Sequence, residues 1–554
     1  MSEPKKKKLP RLNWNSVMEG TFAVKIVYAL AITLYAFWCA KSVNLLIAQV
    51  LELVIVTLIS IRILHVNKLV GNIVNDILLV MYDIQTMAIA FGNSYITVMM
   101  LSNVDSVEAL TGNAGFVKKI ILIAVSLIIV LLPVREPRLP EKIKKYARAN
   151  IGLSIFLALE LVFTLVVGNA FSPYYAYVTL LRDKREHDRI VSAVNIADDA
   201  DVSWYYHDQV YDYHTKDYSL TDQPNVILVF VEGLSNRVIS DERDITPNLR
   251  RFSEESIRFE NYFGHTAATY RGLIGQLYSG YQLDNEDRNA LVSMQELFAQ
   301  SGYTTEFINP EPNNKEFSSY LADMNFERFY SVEDNYEGAV DGTMSDREAF
   351  EILFEEAEKL AQEDKPFLLS MYSFGTHVYS DSPNQIYGDG NNCLLNRFYN
   401  MDYYFGEFID AYKRSGLADD TVLIITADHG TYLDAEFEEV FPDSGREYDF
   451  CDTIPLLIYY NGIQPQCIDA DGLNSLDLAP TICDFVDISG ENYFLGESLF
   501  RPKKDPTYYD TLYFDGIEFL STANAVVTRI EGDARDRVYD DVIDYLMLAR
   551  RTVE

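Results

Sequence analysis

Three short apolar runs end in side chains that can do chemistry. NVILVFVEG (225–233) closes on Glu232, TVLIITADHG (421–430) closes on Asp428 and His429, and PFLLSMYSF (366–374) is followed by His377. Each run reads as a buried parallel strand that opens into a loop. Ligands in such sheets bind beyond the carboxyl ends of the strands. Two carboxylates and an imidazole meeting on one edge suit a divalent metal ion. Taken singly, Glu-Gly and Asp-His-Gly are also ordinary turns. Their coincidence carries the weight, because the chain has only seven histidines. GHTAATYRGLIGQLYSGY (264–281) adds a Thr-rich turn leading into a helical pattern. A helix start offers free N–H groups and positive potential to a phosphate. Thr269 falls at that start, with Arg271 close by. A threonine hydroxyl becomes a useful nucleophile only when a metal or base lowers its pKa. On local sequence alone, an N-cap role for Thr266 or Thr269 is the favoured reading.

These groups need a scaffold, and strand–helix alternation supplies one. TTEFIN (304–309) and IPLLIYYNG (454–462) are further strand runs. Helical patterns fall at 246–256, 290–301, 346–363, 397–415 and 475–487. The pattern predicts an α/β domain with a mostly parallel sheet covered by helices on both faces. TLYFDG (511–516), NAVVTRI (524–530) and a helix near 538–551 are expected to complete the same domain.

The N-terminal part is a different object. Of 554 residues, the first 171 hold 17 Lys/Arg and 10 Asp/Glu, while the remainder hold 29 and 72. Apolar stretches at about 22–40, 44–64, 70–90, 117–134 and 150–171 each approach the roughly 20 residues that cross a bilayer. Lys5, Lys6, Lys7, Lys8 and Arg11 precede the first stretch. Arg62 and Lys68 follow the second, and Arg135, Arg138, Lys142, Lys144, Lys145 and Arg148 follow the fourth. Positive charge stays cytoplasmic, so the N-terminus is expected inside and everything after about 172 outside. The third stretch carries Asn72, Asn75, Asp76 and Asp83, read as facing other helices or the interface. The expected organisation is a transmembrane anchor (1–171), a polar Tyr-rich connector (172–222) and an extracytoplasmic catalytic domain (223–554). The net charge of −36 excludes a nucleic-acid partner, which needs a basic face. Cys393, Cys451, Cys467 and Cys483 fit either two disulfides or free thiols.

The ordered motifs NVILVFVEGLS (225–235), ITPNLRRF (245–252), ENYFGHTAATYRG (260–272), SFGTHVYS (373–380), ITADHG (425–430) and LDLAPTICDFVDI (476–488) resemble a known family. It is the sulfatase-like, alkaline-phosphatase-superfamily membrane transferases typified by lipoteichoic acid synthase. Glucan phosphoglycerol transferases and lipid A phosphoethanolamine transferases are relatives. The resemblance implies Glu232, Thr269, Asp428 and His429 as metal ligands. It implies Thr269 as the carrier of a covalent phospho-intermediate, and His377 as the head-group-binding proton donor. True sulfatases present Cys or Ser in C/S-x-P-x-R, whereas this chain has Thr-Tyr-Arg-Gly at 269–272.

The implied reaction moves phosphoglycerol from phosphatidylglycerol to a cell-envelope glycopolymer or glycolipid at a bacterial-type plasma membrane. Phosphoethanolamine transfer, or phosphodiester hydrolysis, is the alternative. The implied metal is Mn²⁺, with Zn²⁺ or Mg²⁺ as alternatives. The family's Trp-Asn-Arg stretch has no counterpart in 307–330. Asn314 or Lys315 is the substitute there. Asp346 and Arg347, in GTMSDREAF (342–350), are further head-group candidates that also read as a plain helix start.

Overall fold

The computed structural model describes the chain apart from residues 1–13, 93, 103–113, 138–139, 141–149, 197–204, 215–219, 285–288, 332–342, 378–383, 434, 449–450, 503–509 and 551–554. The basic residues Lys5, Lys6, Lys7, Lys8, Arg11, Arg138, Lys142, Lys144, Lys145 and Arg148 therefore lie outside the described residues. The chain divides into two compact units, one running to Lys184 and the other from Arg185 onward.

The first unit is helical: α1 (Trp14–Ala40), α2 (Val43–Val66), α3 (Lys68–Gly92), α4 (Ala114–Val130), α5 (Asn150–Val167) and the first half of α6 (Pro173–Ile196). Three of these helices are long and apolar enough to cross a membrane, over Gly20–Ala40, Val43–Val66 and Lys68–Phe91. The other two expected spans have shorter apolar cores, Lys119–Val130 and Ile151–Val167. The polar residues of α3 turn onto neighbouring helices. Asn72 exchanges hydrogen bonds with the backbone of Val134. Asn75 bonds Ser60, and Asp76 pairs with Lys25 at 2.6 Å. Asp83 accepts from Ser126. Burying acids in an apolar bundle is tolerable only with such partners.

The second unit is built on an eight-stranded sheet in the order β4-β3-β5-β1-β6-β7-β2-β8. Its strands are β1 (Asn225–Val231), β2 (Ile257–Glu260), β3 (Thr304–Ile308), β4 (Arg328–Tyr330), β5 (Phe367–Tyr372), β6 (Thr421–Ala427), β7 (Leu456–Tyr459) and β8 (Gln466–Asp469). Every residue of β1, β5 and β6 is buried, so both faces of the sheet centre are covered. That is why these runs are apolar throughout rather than alternating. The covering helices include α7 (Pro247–Glu254), α8 (Thr269–Tyr278), α9 (Met294–Gln300), α10 (Lys315–Ala322), α11 (Asp346–Leu360), α12 (Cys393–Arg414) and α13 (Leu478–Phe485).

One expectation changes, and the C-terminal segment keeps its place in the second unit with a sheet of its own. IPLLIYYNG forms β7, which runs antiparallel to β6 and β2. The C-terminal segment makes a separate three-stranded sheet, β9 (Leu512–Phe514), β10 (Phe519–Ser521) and β11 (Thr528–Arg529), followed by α14 (Gly532–Arg550). NAVVTRI does not extend as one strand, because Asn524 and Ala525 adopt positive φ of 57° and 59°. Left-handed backbone at two successive residues breaks strand geometry. None of the five cysteines is joined in a disulfide.

Candidate active site

Register brings the first two site residues together. β1 and β6 pair in parallel with Val231 opposite Ala427. The next residues, Glu232 and Asp428, therefore leave the sheet side by side at its carboxyl edge. Glu232, Asp428 and His429 are all buried, and each offers a ligand atom within 4.8 Å of the others.

Hydrogen bonds fix how those atoms point. Asp428 Oδ1 accepts from the backbone N–H groups of Gly233 and His429, both at 2.8 Å. Its Oδ2 is buried without a hydrogen-bond partner. His429 Nδ1 lies 2.8 Å from the Gly430 carbonyl, which can only accept, so Nδ1 carries the proton. The remaining nitrogen, Nε2, faces Glu232 Oε1 at 3.3 Å and Asp428 Oδ2 at 3.5 Å. In the neutral ring that places a lone pair against two carboxylate oxygens. The arrangement is favourable only with a positive charge between them, a proton or a metal ion. Burial alone opposes ionisation of all three groups. Against it, the imidazole holds the Glu232 carboxyl below the usual range, and the two carboxylates raise His429. Burial and the neighbouring Glu232 raise Asp428. The orphaned Asp428 oxygen, the pinned imidazole and the mixed oxygen–nitrogen donor set fit a divalent metal ion.

Thr269 joins this cluster as the first residue of α8, and its Oγ1 donates to Glu232 Oε2 at 3.0 Å. It is not an N-cap. Ala268 holds that position and offers no side-chain bond. Two residues dock the helix. A Cβ on Gly272 would lie 2.2 Å from the Asp428 carbonyl oxygen, so only glycine permits this approach. Gln276 donates to the carbonyls of Ala427 at 2.9 Å and Asp428 at 3.3 Å.

His377 lies on the turn after β5. Its ring stacks on Phe374 with centroids 4.8 Å apart. The turn is tied to Glu232: Thr376 donates to the Glu232 carbonyl at 2.6 Å, and Ser373 Oγ accepts from the Glu232 N–H at 3.4 Å.

The remaining candidates are placed differently. Arg271 is buried and donates to the Asp515 carbonyl at 2.6 Å. Asn314 caps α10 and donates to Glu311 at 3.2 Å, while Lys315 is exposed on the first turn. Asp346 starts α11, buried, with one oxygen accepting from Asn400 at 2.8 Å. A Cβ on Gly375 would meet its carboxylate at 2.2 Å, so Asp346 abuts the His377 turn. Arg347 points outward and pairs with Glu351 at 2.8 Å.

Two neighbours escaped the sequence reading. Glu311 is a buried carboxyl that takes hydrogen bonds from Tyr372 and Asn314 and lies in the electrostatic range of His377 and Glu232. Burial pushes it up. Tyr432 stacks on His429 with centroids 4.9 Å apart and planes 6° from parallel. The spacing from His429 to Tyr432 is the only trace the second leaves in the sequence.

The family model for sulfatases matches residues 224–488. This stretch is a sulfatase-like α/β domain. Solved structures share the fold. An alkaline phosphatase superfamily protein from Vibrio parahaemolyticus is 18% identical with a TM-score of 0.50, over 66% of this chain and 95% of that one. The integral membrane protein lipooligosaccharide phosphoethanolamine transferase A (EptA) from Neisseria meningitidis is 14% identical with a TM-score of 0.50, over 87% of this chain and 97% of that one. The lipoteichoic acid synthase LtaP from Listeria monocytogenes is 17% identical with a TM-score of 0.47, over 65% and 96%. The sulfatase-like domain is preceded by apolar helices, three of them long and apolar enough to cross a membrane.

Proposed function

We propose that this chain is a metal-dependent phosphotransferase. It takes phosphoglycerol from phosphatidylglycerol, holds it as an ester of Thr269, and passes it to a hydroxyl of an envelope glycopolymer or glycolipid. The observation that carries the reading is Thr269 Oγ1 at the start of a helix, 3.0 Å from Glu232 in the Glu232–Asp428–His429 cluster. A divalent cation held by these four residues, Mn²⁺ by the resemblance, supplies Lewis acidity and lowers the pKa of the hydroxyl. Thr269 Oγ1 bonds to phosphorus, and its proton leaves to the carboxylate it already faces, Glu232 Oε2. The bond from phosphorus to the diacylglycerol oxygen breaks, and His377 protonates that oxygen. The free N–H groups of the first turn of α8 face the phosphoryl oxygens. In the second half, the acceptor hydroxyl gives its proton to His377 and bonds to phosphorus. Oγ1 then leaves and recovers its proton. The apolar helices hold the protein in the membrane that carries its lipid donor. The N-terminus is cytoplasmic and the sulfatase-like domain is extracytoplasmic in this reading.

Phosphoethanolamine is the second reading, favoured by Glu311. A buried carboxyl near His377 and Glu232 suits an ammonium better than a glycerol hydroxyl. The name of the Neisseria relative points the same way. The deciding experiment incubates full-length protein with Mn²⁺ and either phosphatidylglycerol or phosphatidylethanolamine, then weighs the peptide carrying Thr269. A phosphoglycerol adduct supports the first reading and a phosphoethanolamine adduct the second. Diacylglycerol release with no adduct and no acceptor sinks both in favour of hydrolysis.

A further inference from the structure

An imidazole that ligates a metal must be held in its plane as well as in place, because the lone pair of its free nitrogen lies in that plane. The bond from His429 Nδ1 to the Gly430 carbonyl fixes one edge of the ring. A single point of attachment leaves the ring free to tilt. Tyr432, three residues on, lies flat against it, with centroids 4.9 Å apart and planes 6° from parallel. Gly233 closes in on the same ring, where an added Cβ would stand 3.5 Å from Cε1. A hydroxyl on a ring stacked in parallel lies over the imidazole face, out of the plane of its lone pair. The Tyr432 hydroxyl is 3.4 Å from Nε2, yet it leaves that lone pair directed at Glu232 and Asp428. Its proton goes instead to the Ala267 carbonyl, also at 3.4 Å, two residues before Thr269.

The segment that carries Tyr432 is itself fastened down. Thr431 donates its N–H to Ser235 Oγ at 2.9 Å, and its Oγ1 accepts from the Ser235 N–H at 3.1 Å. The same Oγ1 donates to the Gly233 carbonyl at 2.6 Å. Arg446 donates to the Thr431 carbonyl at 2.6 Å. The chain just after His429 is thereby tied to the chain just after Glu232, and the Tyr432 ring rises from that tied segment. A ring on a fixed base can act as a template for the imidazole stacked on it. We propose that Tyr432 is a positioning residue for the metal centre. Its ring sets the tilt of His429 so that Nε2 meets the cation that Glu232 and Asp428 share, and its hydroxyl anchors the ring on the turn leading to Thr269. This role rests on the metal-dependent reading of the site and not on which head group Thr269 carries.

The test is a Mn²⁺ titration of the metal-free, full-length protein in detergent. Free Mn²⁺ is read by electron paramagnetic resonance, and thermal melting shows that each variant is folded. The binding event that counts is the one that Asp428→Asn weakens. Tyr432→Leu, which removes the ring, is expected to raise the dissociation constant of that event by about 10- to 100-fold. Tyr432→Phe, which keeps the ring and loses only its anchor, should stay within about 3-fold of wild type. Tyr432→Gln, also ringless, takes the place of the Leu variant if that one does not fold. Three outcomes overturn the proposal. A folded ringless variant that binds Mn²⁺ as wild type does gives Tyr432 a packing role only. A Phe variant as weak as the ringless one assigns the effect to the hydroxyl and not to the ring. If neither Mn²⁺ nor competing Zn²⁺ occupies a site in wild type that Asp428→Asn weakens, the metal-dependent reading itself fails, and the role of Tyr432 with it.

Discussion

Acids held by neighbouring side chains occur at the sheet edge and in the helical bundle, and they differ in what stands opposite them. In the bundle, Asp76 has Lys25 at 2.6 Å, with Asn75 bonded to the same ammonium at 3.0 Å. That set is closed: charge meets charge and the spare donors are used. At the edge, Glu232 and Asp428 share one imidazole, Asp428 Oδ2 has no hydrogen-bond partner, and Nε2 faces carboxylate oxygens. That set is open. Residue type does not separate the two cases. The completeness of the partner set does, and it marks which acids hold the fold and which await a ligand.

Breaking the open set should cost the most. Thr269→Ala is expected to abolish the covalent adduct and lower turnover by at least about 10³-fold, with melting unchanged. Adduct mass and initial rate are the readouts. An adduct that survives would move the nucleophile elsewhere. Breaking the closed set should cost stability only. Lys25→Met leaves Asp76 without its base and is expected to lower stability by about 3 kcal/mol, read by thermal melting in detergent. Gly272→Ala sharpens the account of how the edge is assembled. The added methyl meets the Asp428 carbonyl, so we expect about 2 kcal/mol of destabilisation together with lost activity. Unchanged melting would show that α8 is not seated on β6 as described.

Asp346 offers a smaller, pH-dependent effect. Burial raises its carboxyl to about 6, partly offset by the Asn400 bond. A raised folded-state value favours the protonated form in the fold. Its contribution is therefore present below about pH 4 and is lost as pH rises through about 6. Wild type should lose at most about 3 kcal/mol more than Asp346→Asn between pH 4 and 7, a difference read from urea midpoints. Parallel pH profiles would refute it. The smallest effect is at Arg347. It is exposed, so Arg347→Ala should leave melting unchanged, while a raised KM would restore its candidacy at the head group.

The sheet edge was legible because its strands are central. β1, β5 and β6 are buried on both faces and so wear continuous apolar runs, and the groups after them follow from parallel register. β2, β4 and β8 escaped notice because each is only three or four residues long. β8 is mostly exposed and carries no apolar pattern at all. The reversal of β7 depends on neighbours far along the chain, which periodicity cannot report. Thr269 was visible as a helix start, but its partner Glu232 lies 37 residues earlier. Glu311 and Lys25 were missed for one reason. Neither a glutamate in the polar loop before α10 nor a lone lysine in an apolar helix shows a pattern until the fold shows what it faces.

The strand order sets a schedule for synthesis. β1 is made first but sits in the middle of the sheet, between β5 and β6. Its partners are far downstream: Val226 waits for Leu368 and then for Val422. At roughly 5–20 residues per second, the second wait lasts on the order of 10–40 s. Until β5 is made this seven-residue apolar strand has both edges unpaired, and the edge that β6 covers stays open for the whole interval. Any product truncated before β6 therefore carries an open strand edge and Glu232 with nothing to share its ligand.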